Sequence, residues 1–395
     1  MKWSSAVSER PSLSDAVAEC VDVIGRDLGE VPRDLTVAFV SQHHEAQYEL
    51  LPDLLNQFVG GGVAIGCSGG GVIGAGREVE RRHGFAMTSA ILPGVEVRAF
   101  HAEYDDIPGP DAPPHSWEFL VGTQASSSPH FVLLVDPFSV QAEELISGLD
   151  YAFPDSVKIG GLSSGAHRPG GDALYAMNQV FRSGFAGVSI SGLVSVDTVV
   201  SQGCRPIGEP MQIKSCSQHL LAELDLGKPL DVVKKLFDDF GERDRQLLRN
   251  SLLIGIVMDP LKDSPELGDY LIRGITGVDH KSGALAVAGS LREGQIVQFH
   301  VRDAETSSQD LADLLSRYSG DMSVSQEAGA LLFSCLGRGI DLYGRADHDT
   351  DMFREKVRPI PLTGFFCNGE IGPVGDATYL HGWTSSFGIF KPMDG

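Results

Sequence analysis

Two short segments near the C-terminus hold the most reactive side chains. Cys335-Leu336-Gly337-Arg338-Gly339 sets a thiol and a guanidinium at the end of the apolar run ALLFS, and Cys367-Asn368-Gly369-Glu370 sets a thiol, a carboxamide and a carboxylate after PLTGFF. A nearby cation lowers a thiol pKa and makes it more reactive. Cys335 or Cys367 would then serve as a nucleophile with His348 or His381 as base, given hydrogen-bond reach. The plainer role of a strand cysteine is packing. Arg338 suits the bidentate clamping of a carboxylate, against a structural ion pair as its plainer role.

Two glycine-rich segments in the first half imitate enzyme motifs. Gly69, Gly71 and Gly74 satisfy G-x-G-x-x-G, yet a dinucleotide loop must open into an amphipathic helix, and GREVERRHG has almost no apolar face. Gly161-Leu162-Ser163-Ser164-Gly165 satisfies G-x-S-x-G, yet a nucleophile elbow runs straight into a helix, which Pro169-Gly170-Gly171 disfavours. Both segments, IGCSGGG and IGGLSSG, are read instead as strand-end loops. Their backbone N–H groups can hold an anion such as a carboxylate, with Ser68, Ser163 and Ser164 adding hydroxyls. Glycine equally serves tight turning and close packing.

The candidate ligand contacts are Gly66, Cys67, Ser68 and Gly69 in the first loop and Gly161, Ser163 and Ser164 in the second. Cys335, Arg338, Asn368 and Glu370 complete the set near the C-terminus. No catalytic residue is assigned, and no metal site is expected: there is no Cys-x-x-Cys pair, and His43-His44 would point to opposite faces of a strand end. Asn368-Gly369 between apolar stretches is a type I′ hairpin signal, which would put Phe365 and Cys367 on one face.

The elements that position these residues recur along the chain. Strands are predicted at 36–40, 63–68, 85–92 and 95–101, with a helix in EAQYELLPDLLNQF. After DDIPGPDAPPH the order returns as HFVLLVD, helix SVQAEELISGLDYAF, SVKIGGLSS and AGVSISG. Val37 aligns with Val132 and Ile65-Gly66 with Ile159-Gly160, an internal repeat of strand, helix, glycine-ended strand and strand. Further on, KPLDVVKKLFDDF carries Leu230, Val233, Phe237 and Phe240 on one helix face, and ERDRQLLRN continues as helix. Strands SLLIGIVM, DYLIRGITG, ALAVAG and GQIVQFHVR follow, then a helix with Thr306 and Gln309 as its capping box. ALLFSCLGRGIDLYG, HDTDMFREKV, PLTGFFCNGEIGP and TYLHGWTSSFGIF echo the first plan, so the second domain is expected to share it.

The chain has 395 residues, more than one core usually serves. Two domains are expected, 1–210 and 211–395. Asp and Glu outnumber Lys and Arg 53 to 31, a formal charge of -22, which repels phosphate backbones and anionic lipid. No nucleic-acid partner is expected. The N-terminus has no secretory pattern, and the longest apolar runs fall short of the ~20 residues that span a bilayer. A cytoplasmic location without membrane insertion follows as an expectation, with the six cysteines as reduced thiols.

IGCSGGG in the first half, combined with LLFSCLGRG, LTGFFCNGEIGP and LHGWTSSFGIF in the second, resembles the FIST family, named from F-box and intracellular signal transduction proteins. The resemblance covers nearly the whole chain, as an N-terminal FIST-like module and a C-terminal one. It implies a stand-alone sensory protein that binds a small molecule, an amino acid or other small carboxylate, and signals through a partner protein. The alternatives are a protein-interaction adaptor related to ubiquitin-ligase substrate receptors but lacking an F-box, a haem-based sensor, and a cysteine-dependent enzyme; family membership weakens the last. No cofactor is assigned beyond the haem alternative. The fold expected is mixed α/β, two modules of pseudo-repeated halves, layered as two facing sheets with helices outside.

Overall fold

Leu35–Ser41, Lys158–Leu162 and Leu362–Cys367 are buried along their whole length, as strands covered on both faces must be. In the computed structural model, which describes residues 1–59, 62–262, 264–321 and 325–393, each belongs to a parallel pair. Leu35–Ser41 lies beside Val63–Gly69 with Ala38 opposite Gly66. His130–Val135 lies beside Lys158–Leu162 with Leu133 opposite Gly160, and Gly329–Cys335 beside Leu362–Cys367 with Leu332 opposite Gly364. Helical segments make each crossover: Gln42–Leu50 with Leu51–Val59, then Ala142–Ala152, then Ile340–Tyr343 with His348–Lys356.

Three six-stranded sheets grow from these pairs in one order. Next to the first strand of each pair runs Phe85–Ile91, Phe185–Gly192 or Ser385–Pro392, and beyond it an edge strand, Lys2–Ser8, Val95–Ala102 or Val194–Ser201. Next to the second strand sits a short hairpin lent by another repeat. Leu174–Ala176 and Gln179–Phe181 complete the first sheet, Glu370–Val374 and Ala377–His381 the second, and Gly71–Gly74 and Arg77–Glu80 the third. The three repeats therefore exchange hairpins in a closed cycle.

Alternation along the strands sorts side chains between an inner and an outer core. Val37, Phe39, Val132, Leu134, Leu331, Phe333, Phe365 and Cys367, from all three sheets, form one inner cluster. On the outside, Ala38 and Val40 meet Leu13, Val17 and Ile24 of the helix Leu13–Leu28, while Leu133 and Val135 meet Trp117, Leu145 and Leu149. Helices do cover the outer faces, but three sheets rather than two share the inner core.

A Cβ on Gly66, Gly160 or Gly364 would lie 2.0, 1.9 or 1.8 Å from the carbonyl oxygen of Ala38, Leu133 or Leu332. Backbone cannot yield at that distance. The same requirement thus appears once in each repeat.

The compact units are not the sequential halves 1–210 and 211–395. One comprises 1–200, 312–380 and 384–395, and the other 201–311 with 381–383. The first holds all three repeats because the pairing of Gly71–Gly74 with Leu362–Cys367 and of Glu370–Val374 with Lys158–Leu162 ties distant segments together. The second is a closed barrel ordered Cys204–Ser217, Leu220–Leu224, Leu285–Val287, Tyr270–Val278, Leu252–Val257 and Ile296–Arg302, antiparallel throughout. Val233, Phe237 and Phe240 pack against its core. This segment does not repeat the first plan; it interrupts the third repeat between an edge strand and the helix Ala304–Asp321.

Two local expectations are corrected. Leu362–Cys367 and Glu370–Val374 sit in different sheets, so Asn368-Gly369 is a crossing between sheets rather than a hairpin turn. Phe365 and Cys367 still share the inner face. The helix expected to start at Thr306 begins at Ala304, where the Asp303 carboxylate accepts the Glu305 N–H at 3.1 Å. Among the described residues no helix is long and apolar enough to cross a membrane.

Candidate functional site

Counting four residues past the constrained glycine of each repeat gives Gly70, Ser164 and Asn368, and the chain ties these three strand ends together. Ser164 Oγ accepts the Gly70 N–H at 2.9 Å and donates to the Phe366 carbonyl. The Ser164 N–H reaches the Ser68 carbonyl at 3.3 Å, and the Asn368 N–H the Leu162 carbonyl at 3.2 Å. One hydroxyl thereby joins all three repeats.

A cleft of about 450 Å³ opens over this junction, lined by Gly70, Gly71, Gly165, Ala166, Phe366 and Asn368 from the second strands' ends. The first strands' ends add Gln42, Phe138 and Leu336, and Glu80, Arg81, His167 and Asp341 complete the rim. Ligand sites of α/β sheets lie outside the carboxyl ends of their strands, and this volume is within the range of about 300–1,000 Å³ usual for small-molecule pockets.

The rim carries both charges. Arg81 pairs with Asp341, each more than half exposed, so the pair is screened and exchanges partners at little cost. Glu80 Oε1 accepts the Ile340 N–H at 3.0 Å, and burial raises its carboxyl pKa although that bond opposes the rise. Gln42, His167 and Asn368 are exposed. Behind the rim, Asp136 and Asp172 are buried. Burial raises both carboxyl pKa values, and the Asp136 charge pushes Asp172 further. Asp136 Oδ1, Asp172 Oδ2 and Ser163 Oγ meet no hydrogen-bond partner among the described residues.

The residues singled out in the sequence divide sharply. Asn368 faces the cleft, while Gly69 and Ser164 form the junction beneath it. Ser68 is buried, and its hydroxyl donates to Asp172 at 3.1 Å. Gly66, Cys67 and Gly161 lie within strands, Cys67 in the inner core, and a Cβ on Gly161 would meet the Cys367 sulfur at 2.5 Å. Burial raises both the Cys67 and Cys367 thiol pKa values, contrary to what a nucleophile needs. Cys335 is half-buried, next to Leu336 of the cleft wall.

Arg338 is not an open clamp. It is fully buried and grips Asp349 through Nε at 2.8 Å and Nη2 at 3.1 Å, with Nη2 also donating to the Tyr343 hydroxyl at 2.7 Å. Burial alone would raise the Asp349 carboxyl, but Arg338 holds it well below the usual range. Asp349 also meets His348 Nδ1 at 2.9 Å, so that histidine is engaged in a structural network. Glu370 is buried too, its Oε2 accepting the Thr384 N–H at 3.2 Å. His44, expected in a loop, is buried within the Gln42–Leu50 helix, where burial lowers its pKa to about 4.

Sequence reasoning did not reach Gln42, Phe138 and Leu336. Gln42 and Leu336 stand four residues past Ala38 and Leu332, and Phe138 five past Leu133, so aligning the third repeat on the first two would have marked all three. Arg81 and Asp341 carried no such signal.

The geometry defines a three-repeat α/β domain whose strand ends enclose one cleft, with a β-barrel in a separate unit. A FIST N domain model matches residues 34–226 and a FIST C domain model residues 229–373. The chain belongs to the FIST family, whose domains are sensory and signal-transduction modules. It is similar to an uncharacterized protein of Mycobacterium tuberculosis, 33% identical over 392 residues that cover 99% of this chain and 100% of that one. An uncharacterized protein of Mycobacterium bovis is 31% identical over 393 residues, 99% of each.

Proposed function

We propose that the cleft binds a small carboxylate-bearing metabolite, amino acids among them, and that its occupancy is passed to a partner protein in the cytoplasm. The observation that carries this reading is the convergence of strand ends from all three repeats on one cleft. Arg81 supplies a cation for the carboxylate, while the Gln42 and Asn368 amides supply donors and acceptors for the rest of the molecule. Glu80 and Asp341 offer acceptors to an ammonium group, which suits a zwitterion. Because the strand ends come from different repeats, a ligand that bridges them restrains the relative freedom of the three, a change that a partner can read.

Differential scanning fluorimetry against amino acids and small carboxylates tests the binding step. A ligand at 100 times its Kd should stabilise the protein by about 2.7 kcal/mol. Absence of any shift across the panel overturns the proposal. For the signalling step, affinity capture with and without the active compound should return different stoichiometric partners.

A further inference from the structure

We propose that this cleft selects carboxylates with a bulky apolar body over small polar ones, and that Phe138 and Leu336 set that preference. The inference rests on the carboxylate reading and names the class of molecule the site takes.

Phe138 and Leu336 remain 40% and 36% exposed, and both line the cleft. Single exposed apolar residues are ordinary on a protein surface. Two that come from different repeats and meet in one concavity have the makeup of an apolar ligand pocket. Leu336 is held in place from two sides: its N–H donates to the Cys367 carbonyl at 2.9 Å, and its Cδ2 would lie 2.3 Å from a Cβ on Gly70. Gly70 thus makes room for the Leu336 side chain. Phe366 uses Gly71 in the same way, at 2.8 Å, so an apolar wall is built into the junction.

The third repeat-equivalent position is polar. Where two first strands lead into Phe138 and Leu336, the remaining one leads into Gln42, and Asn368 and His167 also line the cleft. Apolar wall, amides and the Arg81–Asp341 pair together describe an amphipathic guest with one anionic end. A two- to four-carbon acid would leave much of the 450 Å³ unfilled and the apolar wall wet.

Isothermal titration of the full chain with 3-phenylpropionate, succinate and 3-phenylpropan-1-ol tests the preference. We expect 3-phenylpropionate to bind at least about tenfold more tightly than succinate, the scale of discrimination apolar pockets reach, and more tightly than the alcohol. Phe138→Ala and Leu336→Ala should each bring the two acids to comparable affinity, with thermal unfolding confirming that the variants fold. Succinate equal to or tighter than 3-phenylpropionate overturns the apolar preference while leaving the carboxylate site standing. The alcohol matching 3-phenylpropionate, or both acids failing to bind, overturns the carboxylate reading itself.

Discussion

Each repeat contains two positions, four residues apart, that behave in opposite ways. Gly66, Gly160 and Gly364 are the same residue because a side chain there would strike the neighbouring strand's carbonyl. Gly70, Ser164 and Asn368 are three different residues, because at the strand end only the cleft constrains them. The strand interior records the fold, and the strand end is free to take on function. Arg338 shows the limit of the rule: though close to a strand end, it is committed to a buried ion pair.

The comparison breaks first at the glycines. Gly364→Ala sets a methyl group against fixed backbone, and we expect a loss of about 4 kcal/mol or more in urea denaturation. A loss under about 1 kcal/mol would mean the strands shift easily and the glycines are not a fold requirement. Next in size is Asp349→Ala, which strands the Arg338 guanidinium in the interior and should cost about 3–5 kcal/mol. The double change Arg338→Met with Asp349→Leu should recover a substantial part of it, since it removes the charge along with its partner.

Glu78 tests how the lent hairpin is held. Its Oε1 accepts the Thr350 N–H at 3.0 Å, and its backbone N–H reaches Asp347, so the first repeat's hairpin docks on the third repeat's helix. Burial, with the Asp349 charge adding, raises the Glu78 carboxyl from 4.5 to about 8. The folded state therefore keeps a proton that the unfolded chain releases. The stability linked to that proton is fully present below pH 4.5 and is lost as the pH rises toward 8. Relative to Glu78→Gln, the natural protein should weaken across that window; parallel pH profiles of the two would remove Glu78 as the cause.

The smallest expected change in stability is at the cleft. Asn368→Ala alters an exposed side chain and should stay within about 0.5 kcal/mol of the parent while weakening carboxylate binding in titration. Together with Gly364→Ala it sharpens the contrast between interior and end, since two residues of one segment should affect different properties.

Much of this contrast was legible in the chain. The glycine-ended strands and their equivalent loops stand out because period and glycine placement are local properties. The third copy was blurred because 201–311 interrupts it, and the barrel's alternating strands read as more of the same plan. Hairpin exchange left no local trace: Gly71–Gly74 and Glu370–Val374 are too short to declare their partners, and Asn368-Gly369 mimics a turn that the sheets do not use. Arg338 beside a strand end looked available because its acid, Asp349, lies on a helix that folds back over it. Phe138 and Gln42 belong to no motif, and only the convergence of the repeats gives them a shared setting.

A co-crystal structure with 3-phenylpropionate tests the central claim most directly. The account predicts one molecule in the cleft, its ring against Phe138 and Leu336 and its carboxylate toward Arg81, within reach of Gln42 or Asn368. An empty cleft at a concentration that saturates binding in solution, or the compound held elsewhere on the chain, would contradict it.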